Sequence, residues 1–390
     1  MSIKSTKTVL FHYSIFNTGG AERSTAKLMK ALCDRGWQVT LLLNAGGGDF
    51  ESFIDPRVNI IHLKPKPYGN KFKSAKTLIE KIKYTFDAFL YLYSKIIEKF
   101  RLRQLRHIHF QAAIVSLQGL SPKIVTQHIK CNVRIHMIRN DISKIHNPEK
   151  IAQSIGQYHD EIDYYVCVAQ ESKAALIRQF PMLEEKALVI HNLLNSDKML
   201  AAIKNQANPY LSYGNLTKIV SVGRLSDSAK GLIRMAEVHA ALLEKGYNHL
   251  WFLVGEGKDR ALITEKIKSL GIEKSFILLG PQSNPYPFYY YADISATLSQ
   301  YEGLCGAVNE AKVMGRPVIA TEFSGIHEQI TDGVNGLIVE NNKEAIIEGL
   351  RKLLIDQTLI KQLTNDILPA IIKDDNLKIN RLEQIIENHE

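Results

Sequence analysis

Residues 302–325 read EGLCGAVNEAKVMGRPVIATEFSG. The run begins with a turn, 302–306, that carries two glycines. An amphipathic helix is expected to open there, with Glu310 near its start. Gly315 stops that helix, Pro317 keeps it from resuming, and residues 318–320 have the composition of a buried strand. A glycine-rich turn feeding a helix presents free N–H groups and the positive end of a dipole, which suits a phosphate. The N–H groups of Gly303, Leu304, Cys305 and Gly306 are therefore expected to hold an anion. Glu302 and Glu310 flank it, where negative charge is unwelcome without a task, and their task is read as holding hydroxyls. Cys305 has no neighbouring base in sequence and is read as a packing residue.

A βα series leads up to this stretch. Strands are expected at 219–222, 250–254 and 276–279, with helices at 231–245 and 259–270. The loop after the first strand carries Arg224 and Lys230. Cations past the end of a strand compensate a diphosphate, Arg by bidentate contacts and Lys as a point charge. Gly255 and Gly257 suggest a dinucleotide fingerprint, but its third glycine would fall at residue 260, which is Arg260. That sets a nicotinamide site aside.

The first half repeats the pattern. A strand at 8–11, the turn with Gly19 and Gly20, a helix at 21–35 and a strand at 39–43 make a βαβ unit. Gly19 and Gly20 either admit a substrate close to the backbone or form an ordinary tight turn. Further strands are expected at 112–117, 133–138, 164–168 and 187–190. The second of these, 133–138, delivers Arg139, Asn140 and Asp141 into a loop, which suits either a site or a capped turn. A polar link at 196–216 is the expected domain boundary.

Residues 71–106 hold ten Lys and Arg against three acids. Within them Ile79, Ile82, Phe86, Phe89, Tyr93, Ile96 and Phe100 recur at spacings of three and four, which predicts one long amphipathic helix. The simplest packing lays this stripe on the sheet and leaves the basic excess free to touch anionic headgroups. The alternative puts the stripe itself into a membrane interface. The excess belongs to a basic half: residues 1–200 carry 29 Lys and Arg against 17 acids, and residues 201–390 carry 20 against 23. An anionic membrane surface is thus an expected partner. Nucleic acid is not, because the aromatics stand at helical spacing rather than on a stacking sheet.

At 390 residues the chain exceeds one compact core, so two domains are expected. No apolar run approaches the length of a membrane span, and residues 1–16 are read as a first strand instead of a signal peptide. A cytoplasmic protein, peripheral at the inner face of the plasma membrane, is the expected setting. The four cysteines lack CxxC spacing and are expected to be reduced and metal-free.

Taken in order, VGRL (222–225), KG (230–231), VGEG (254–257), LLG (278–280), Glu302-Gly303 with Glu310-Ala311, GRPVIAT (315–321) and DGVNGLIV (332–339) form a pattern, and GGAER (19–23) extends it. This ordered set resembles the retaining glycosyltransferases of the GT-B fold, the large family 4 group. The resemblance implies an α/β protein with two Rossmann-like β/α/β domains facing a central cleft. An acceptor domain would span 1–200, with 373–390 crossing back to it, and a nucleotide-sugar domain 210–372. By position it implies Glu310 on ribose hydroxyls, Glu302 and the 303–306 backbone near the transferred sugar, and Arg224 and Lys230 on the diphosphate. Gly255 and Pro281 would flank the base. Many members place a His beside the donor sugar; the comparable loop here holds Arg139, Asn140 and Asp141, and Arg139 is counted with the catalytic groups.

The implied activity is transfer of a hexose or N-acetylhexosamine from a UDP-linked donor to a lipid-linked or cell-envelope glycan of bacterial type, such as lipopolysaccharide or capsule. No DxD motif lies near the donor loops, so no metal cofactor is expected. The competing reading is a non-catalytic nucleotide-sugar-binding scaffold or partner subunit.

Overall fold

Seven parallel strands build the first sheet: β1 (Thr8–Tyr13), β2 (Gln38–Ala45), β3 (Asn59–Lys64), β4 (His109–Val115), β5 (Lys130–Ile138), β6 (Tyr164–Cys167) and β7 (Ala187–Val189). Six more build the second: β8 (Thr217–Val222), β9 (His249–Val254), β10 (Phe276–Gly280), β11 (Ile294–Thr297), β12 (Val318–Thr321) and β13 (Leu337–Val339). This computed structural model describes residues 7–68, 74, 77–145, 147–364 and 368–388. The strand orders are β3-β2-β1-β4-β5-β6-β7 and β10-β9-β8-β11-β12-β13. Every pairing is parallel, and the central strands are apolar runs buried on both faces: all six residues of β9 and all four of β12 are buried.

Both orders reverse once. The chain winds outward from β1 to β3 and returns beside β1 as β4; in the second sheet it winds from β8 to β10 and returns as β11. Such reversals leave a crevice past the strand ends where ligands bind in open α/β sheets.

The chain divides into two compact units. The first holds residues up to Val168, Lys173–Leu193 and Asn376 onward; the second holds Ala169–Ser172 and Leu194–Asp375. The helix Asp375–Glu387 packs Ile379, Leu382 and Ile386 into the core of the first unit, beside Met29, Leu32 and Trp37. Its Glu383 accepts from the Trp37 indole at 2.7 Å and the Arg35 guanidinium at 2.6 Å. β3 was absent from the sequence reading. It is an edge strand with a single fully buried residue, Leu63, so its apolar signal is weak.

The expectation for residues 71–106 needs correction. Residues 69–73 and 75–76 lie outside the described residues. From Thr77 onward there are two helices, Leu78–Lys83 and Thr85–Leu105, broken at Tyr84. The aromatic stripe does not pack on the sheet. The face that does so carries Ser94, Glu98, Leu102 and Leu105, with Glu98 pairing Lys64 of β3 at 3.4 Å. The stripe lies on the opposite face and is exposed. Among the described residues no helix is long and apolar enough to cross a membrane.

Candidate active site

The reversal between β8 and β11 gathers the charged residues of the second unit. Past β8 the chain makes a short helix, Asp227–Lys230, and stops at Gly231, whose φ of +61° suits a residue without a side chain. A Cβ there would also stand 2.9 Å from the Leu298 carbonyl past β11. The two loops are stitched together: the Gln300 N–H donates to the Ala229 carbonyl at 2.7 Å, and the Arg234 guanidinium donates to Leu298 O at 2.8 Å. Lys230 is thereby delivered to Glu302, and its ammonium donates to that carboxylate. Ser299 Oγ donates to the same carboxylate at 3.3 Å. Lys230 and Glu302 are each about one-fifth exposed, at 21% and 20%. Burial lowers the Lys230 pKa, but the adjacent Glu302 charge outweighs it and the net shift is upward, so Lys230 stays a cation. Arg224 lies exposed in the same loop and lines one pocket with Lys230, Gly223 and Ser299.

The 302–306 turn is held from below. Gly303, Leu304 and Cys305 are buried, and Gly306 is exposed at the first position of the helix Gly306–Val313. Gly325, at φ +76°, closes against the turn so tightly that a Cβ would lie 2.1 Å from Gly303 O. The fully buried Gln329 side chain grips the Cys305 peptide at both ends. Its Oε1 accepts from Cys305 N–H at 3.0 Å, and its Nε2 donates to Cys305 O at 2.8 Å and to Asn309 Oδ1 at 2.6 Å. Cys305 is the N-cap residue, so the first N–H groups of the helix have no intrahelical partner. Burial pushes the Cys305 thiol up to about 11, with Glu302 adding to the shift, so it is a neutral thiol in its packing place. Glu310, half-buried one turn on, accepts from the Tyr289 hydroxyl at 3.3 Å. Burial and the Glu310 charge raise the Tyr289 phenol well above its usual range, so it remains a donor.

Gly255 ends β9 at φ +145°, and a Cβ there would meet the Gly223 carbonyl at 1.9 Å. Its N–H donates to Gly280 O at 2.9 Å, and Pro281 follows on the surface. The glycines of this turn thus permit the close approach of neighbouring strand ends. Arg224, Lys230, Gly255, Pro281, Glu302, the 303–306 turn and Glu310 all belong to the second unit.

The remaining expected residues belong to the first unit. Gly19 is the N-cap of the helix Gly20–Asp34, in extended conformation, and Gly20 has open space where a side chain would go. Arg139 is turned inward. Its guanidinium donates to Ser116 O at 2.9 Å, Thr25 Oγ1 at 2.8 Å and Asn192 Oδ1 at 3.1 Å. Burial draws its pKa down, against the pull of Tyr13 and Glu22. Asp141 is also buried, accepting from Ser143 N–H at 2.9 Å and Ser143 Oγ at 2.6 Å, while Asn140 between them is half-buried.

Two family models match the chain. "Glycosyltransferase Family 4" covers residues 18–198, and "Glycosyl transferases group 1" covers residues 202–367. The chain belongs to the family 4-like glycosyltransferases. It is a transferase of the GT-B fold. The glycosyltransferase is similar to an uncharacterised glycosyltransferase of Haemophilus influenzae, 25% identical over 364 residues, covering 92% of this chain and 93% of the relative. It is similarly related to N-acetylgalactosamine-N,N'-diacetylbacillosaminyl-diphospho-undecaprenol 4-alpha-N-acetylgalactosaminyltransferase of Campylobacter jejuni, at 25% over 387 residues, with 96% and 97% covered. Among solved structures it shares its fold with Anabaena HepE in complex with UDP-glucose, at TM-score 0.75 and 16% identity, with 98% and 99% covered.

Three residues around this candidate site escaped the sequence reading: Tyr289, Asn309 and Gln329. Tyr289 sat in a recognised tyrosine cluster, 286–291, without a role. Asn309 stands beside Glu310 and Gln329 follows His327 and Glu328, so their local sequence looks like exposed polar surface, and only the fold shows that both are buried with partners.

Proposed function

We propose that this glycosyltransferase moves a hexose or N-acetylhexosamine from a UDP-sugar to a lipid-linked or other cell-envelope glycan, with retention at the anomeric carbon. The observation that carries the reading is the Lys230–Glu302 pair at the sheet reversal, with Arg224 in the same loop. Lys230 and Arg224 supply the positive charge a departing diphosphate needs, and the positive end of the helix that starts at Gly306 adds to it. Glu302 and Glu310 are acceptors suited to sugar and ribose hydroxyls. Neither is assigned as a nucleophile, so front-face substitution is favoured. The bond from the anomeric carbon to the β-phosphate oxygen breaks, the acceptor oxygen bonds the same face, and its proton passes to the leaving phosphate oxygen. The names of the relatives motivate the finer terms: the Campylobacter enzyme acts on a diphospho-undecaprenol acceptor, and HepE was crystallised with UDP-glucose. We place the enzyme peripherally at the inner face of the plasma membrane and assign it no metal cofactor.

The test is a product screen over UDP-sugars with short lipid-linked acceptors, in chelator, with product configuration read by NMR. An α-linked product from an α-configured donor is expected. Lys230→Ala should lower kcat by about 100- to 1,000-fold, the scale of removing one group that stabilises developing negative charge. An inverted product would overturn retention, and full activity of Lys230→Ala would overturn the site. Donor binding without transfer to any acceptor would favour the scaffold reading.

A further inference from the structure

We infer that the outer face of the helices Leu78–Lys83 and Thr85–Leu105 is a docking surface for an anionic lipid bilayer. Nine large apolar side chains stand along it. Leu78, Ile79 and Ile82 are 64–79% exposed, and Phe86, Phe89, Leu92, Tyr93, Ile96 and Phe100 are 54–68% exposed. At half to three-quarters of the area of such side chains, they present roughly 1,000 Å² of apolar surface. The largest patch on an ordinary soluble monomer is about 300–600 Å². On the second helix alone the stripe runs about 21 Å along one face, from Phe86 to Phe100 at 1.5 Å rise per residue. It is no by-product of a loosely attached segment. The opposite face is anchored by buried Ser94 and Leu105, by Leu102 in the core and by the Glu98–Lys64 pair. Thr77 and Glu80 form a capping box that fixes where the first helix starts.

Charge selects the occupant. Residues 77–106 carry Lys81, Lys83, Lys95, Lys99, Arg101, Arg103 and Arg106 against Glu80, Asp87 and Glu98. Glu80 belongs to the capping box and Glu98 pairs with Lys64 and Lys95. Helical spacing sets Lys99 and Arg103 to one side of the Phe89–Tyr93–Ile96–Phe100 line and Arg101 to the other. An apolar strip rich in Phe, bordered by cations, matches a surface with an acyl layer beneath anionic headgroups. A helix lying in the interface plane uses both features at once; a neutral apolar partner would leave the cations without function. The inference stands apart from the donor and acceptor reading, because lipid binding is measured without catalysis.

The experiment is co-sedimentation of the full chain with vesicles of phosphatidylcholine containing 30% phosphatidylglycerol, at low salt. Wild-type protein is expected to bind, and to bind pure phosphatidylcholine at least tenfold more weakly. The variant Phe86→Ser/Phe89→Ser/Phe100→Ser alters exposed positions only and should bind the anionic vesicles at least tenfold more weakly while keeping its activity on a water-soluble acceptor. In a Phe89→Trp variant the indole emission should shift to the blue on vesicle addition, which separates insertion from charge attraction alone. Three results would overturn the proposal: no wild-type binding, equal binding by the triple-Ser variant, or a stable wild-type dimer by light scattering that the triple-Ser variant dissolves.

Discussion

Replacing Gln329 with Leu tests whether the 302–306 turn is held by one side chain. Gln329 makes two hydrogen bonds to the Cys305 peptide and one to Asn309, with all partners buried. Leu fills most of the volume but leaves the Cys305 N–H and C=O facing an apolar group. An unsatisfied buried polar group costs about 1–3 kcal/mol, so two give about 2–6 kcal/mol, and partial relaxation brings the expected loss to about 3 kcal/mol. Asn309→Leu is the internal comparison. It removes one acceptor while Gln329 keeps both bonds to the peptide, so about 1 kcal/mol is expected. Urea unfolding of both variants reads these values, and a donor titration reads the turn. A turn that wanders by a fraction of an ångström misaligns its N–H groups, and donor kcat/KM should fall roughly tenfold or more in Gln329→Leu. Equal destabilisation by the two variants, or a Gln329→Leu loss below about 1 kcal/mol, would refute the idea that the peptide grip is what matters.

Gly255→Ala should destabilise the second unit by about 3–5 kcal/mol, since a φ of +145° disfavours any side chain and the new Cβ would overlap the Gly223 carbonyl. Unfolding midpoints check it, and a loss under about 1 kcal/mol would refute the close approach. Acid should weaken the first unit through His12 and His136, both fully buried and lowered to about 4 by burial, with hydrogen bonds to Asn44 and Leu117 O only partly opposing the shift. The unfolded chain takes up these protons below its ordinary value of 6.5, whereas the folded chain resists until about 4, so stability is complete above pH 6.5 and falls as pH drops toward 4. At pH 5 each histidine should remove about 2 kcal/mol, and His136→Met should flatten the dependence of the urea midpoint on pH.

Much of the second unit was legible because its rules are local. An apolar run followed by Gly and a cation reads as a strand end with a loop, which placed Arg224 and Lys230, and a glycine-rich turn before a helix placed Glu302. What joins Lys230 to Glu302 is strand order, which sequence reaches only through the reversal rule. Gln329 and Tyr289 act on partners some 20 residues away, and neither residue type advertises that. The aromatic stripe shows where periodicity runs out. Spacing identified the helical face correctly, but the inference that an apolar face turns inward was misplaced, because β3 took the face bearing Ser94 and Glu98. The burial of Arg139, which was expected among the catalytic groups, escaped for a related reason. Burying a guanidinium with no carboxylate hydrogen-bonded to it is uncommon, and acceptors on Ser116, Thr25, Ser24 and Asn192 together with the Glu22 charge make it tolerable here.

The helix Asp375–Glu387 has a consequence for how the protein is made. Its apolar side chains complete a core whose other members were synthesised before residue 194. Between them the ribosome must produce nearly all of the second unit, which takes roughly 10–40 s at 5–20 residues per second. During that interval the first sheet waits with the ground beneath Ile379, Leu382 and Ile386 uncovered and Trp37 lacking the Glu383 acceptor. The earliest-made half of this enzyme is therefore the last to be finished, and it is the half most exposed to chaperones and proteases on the way.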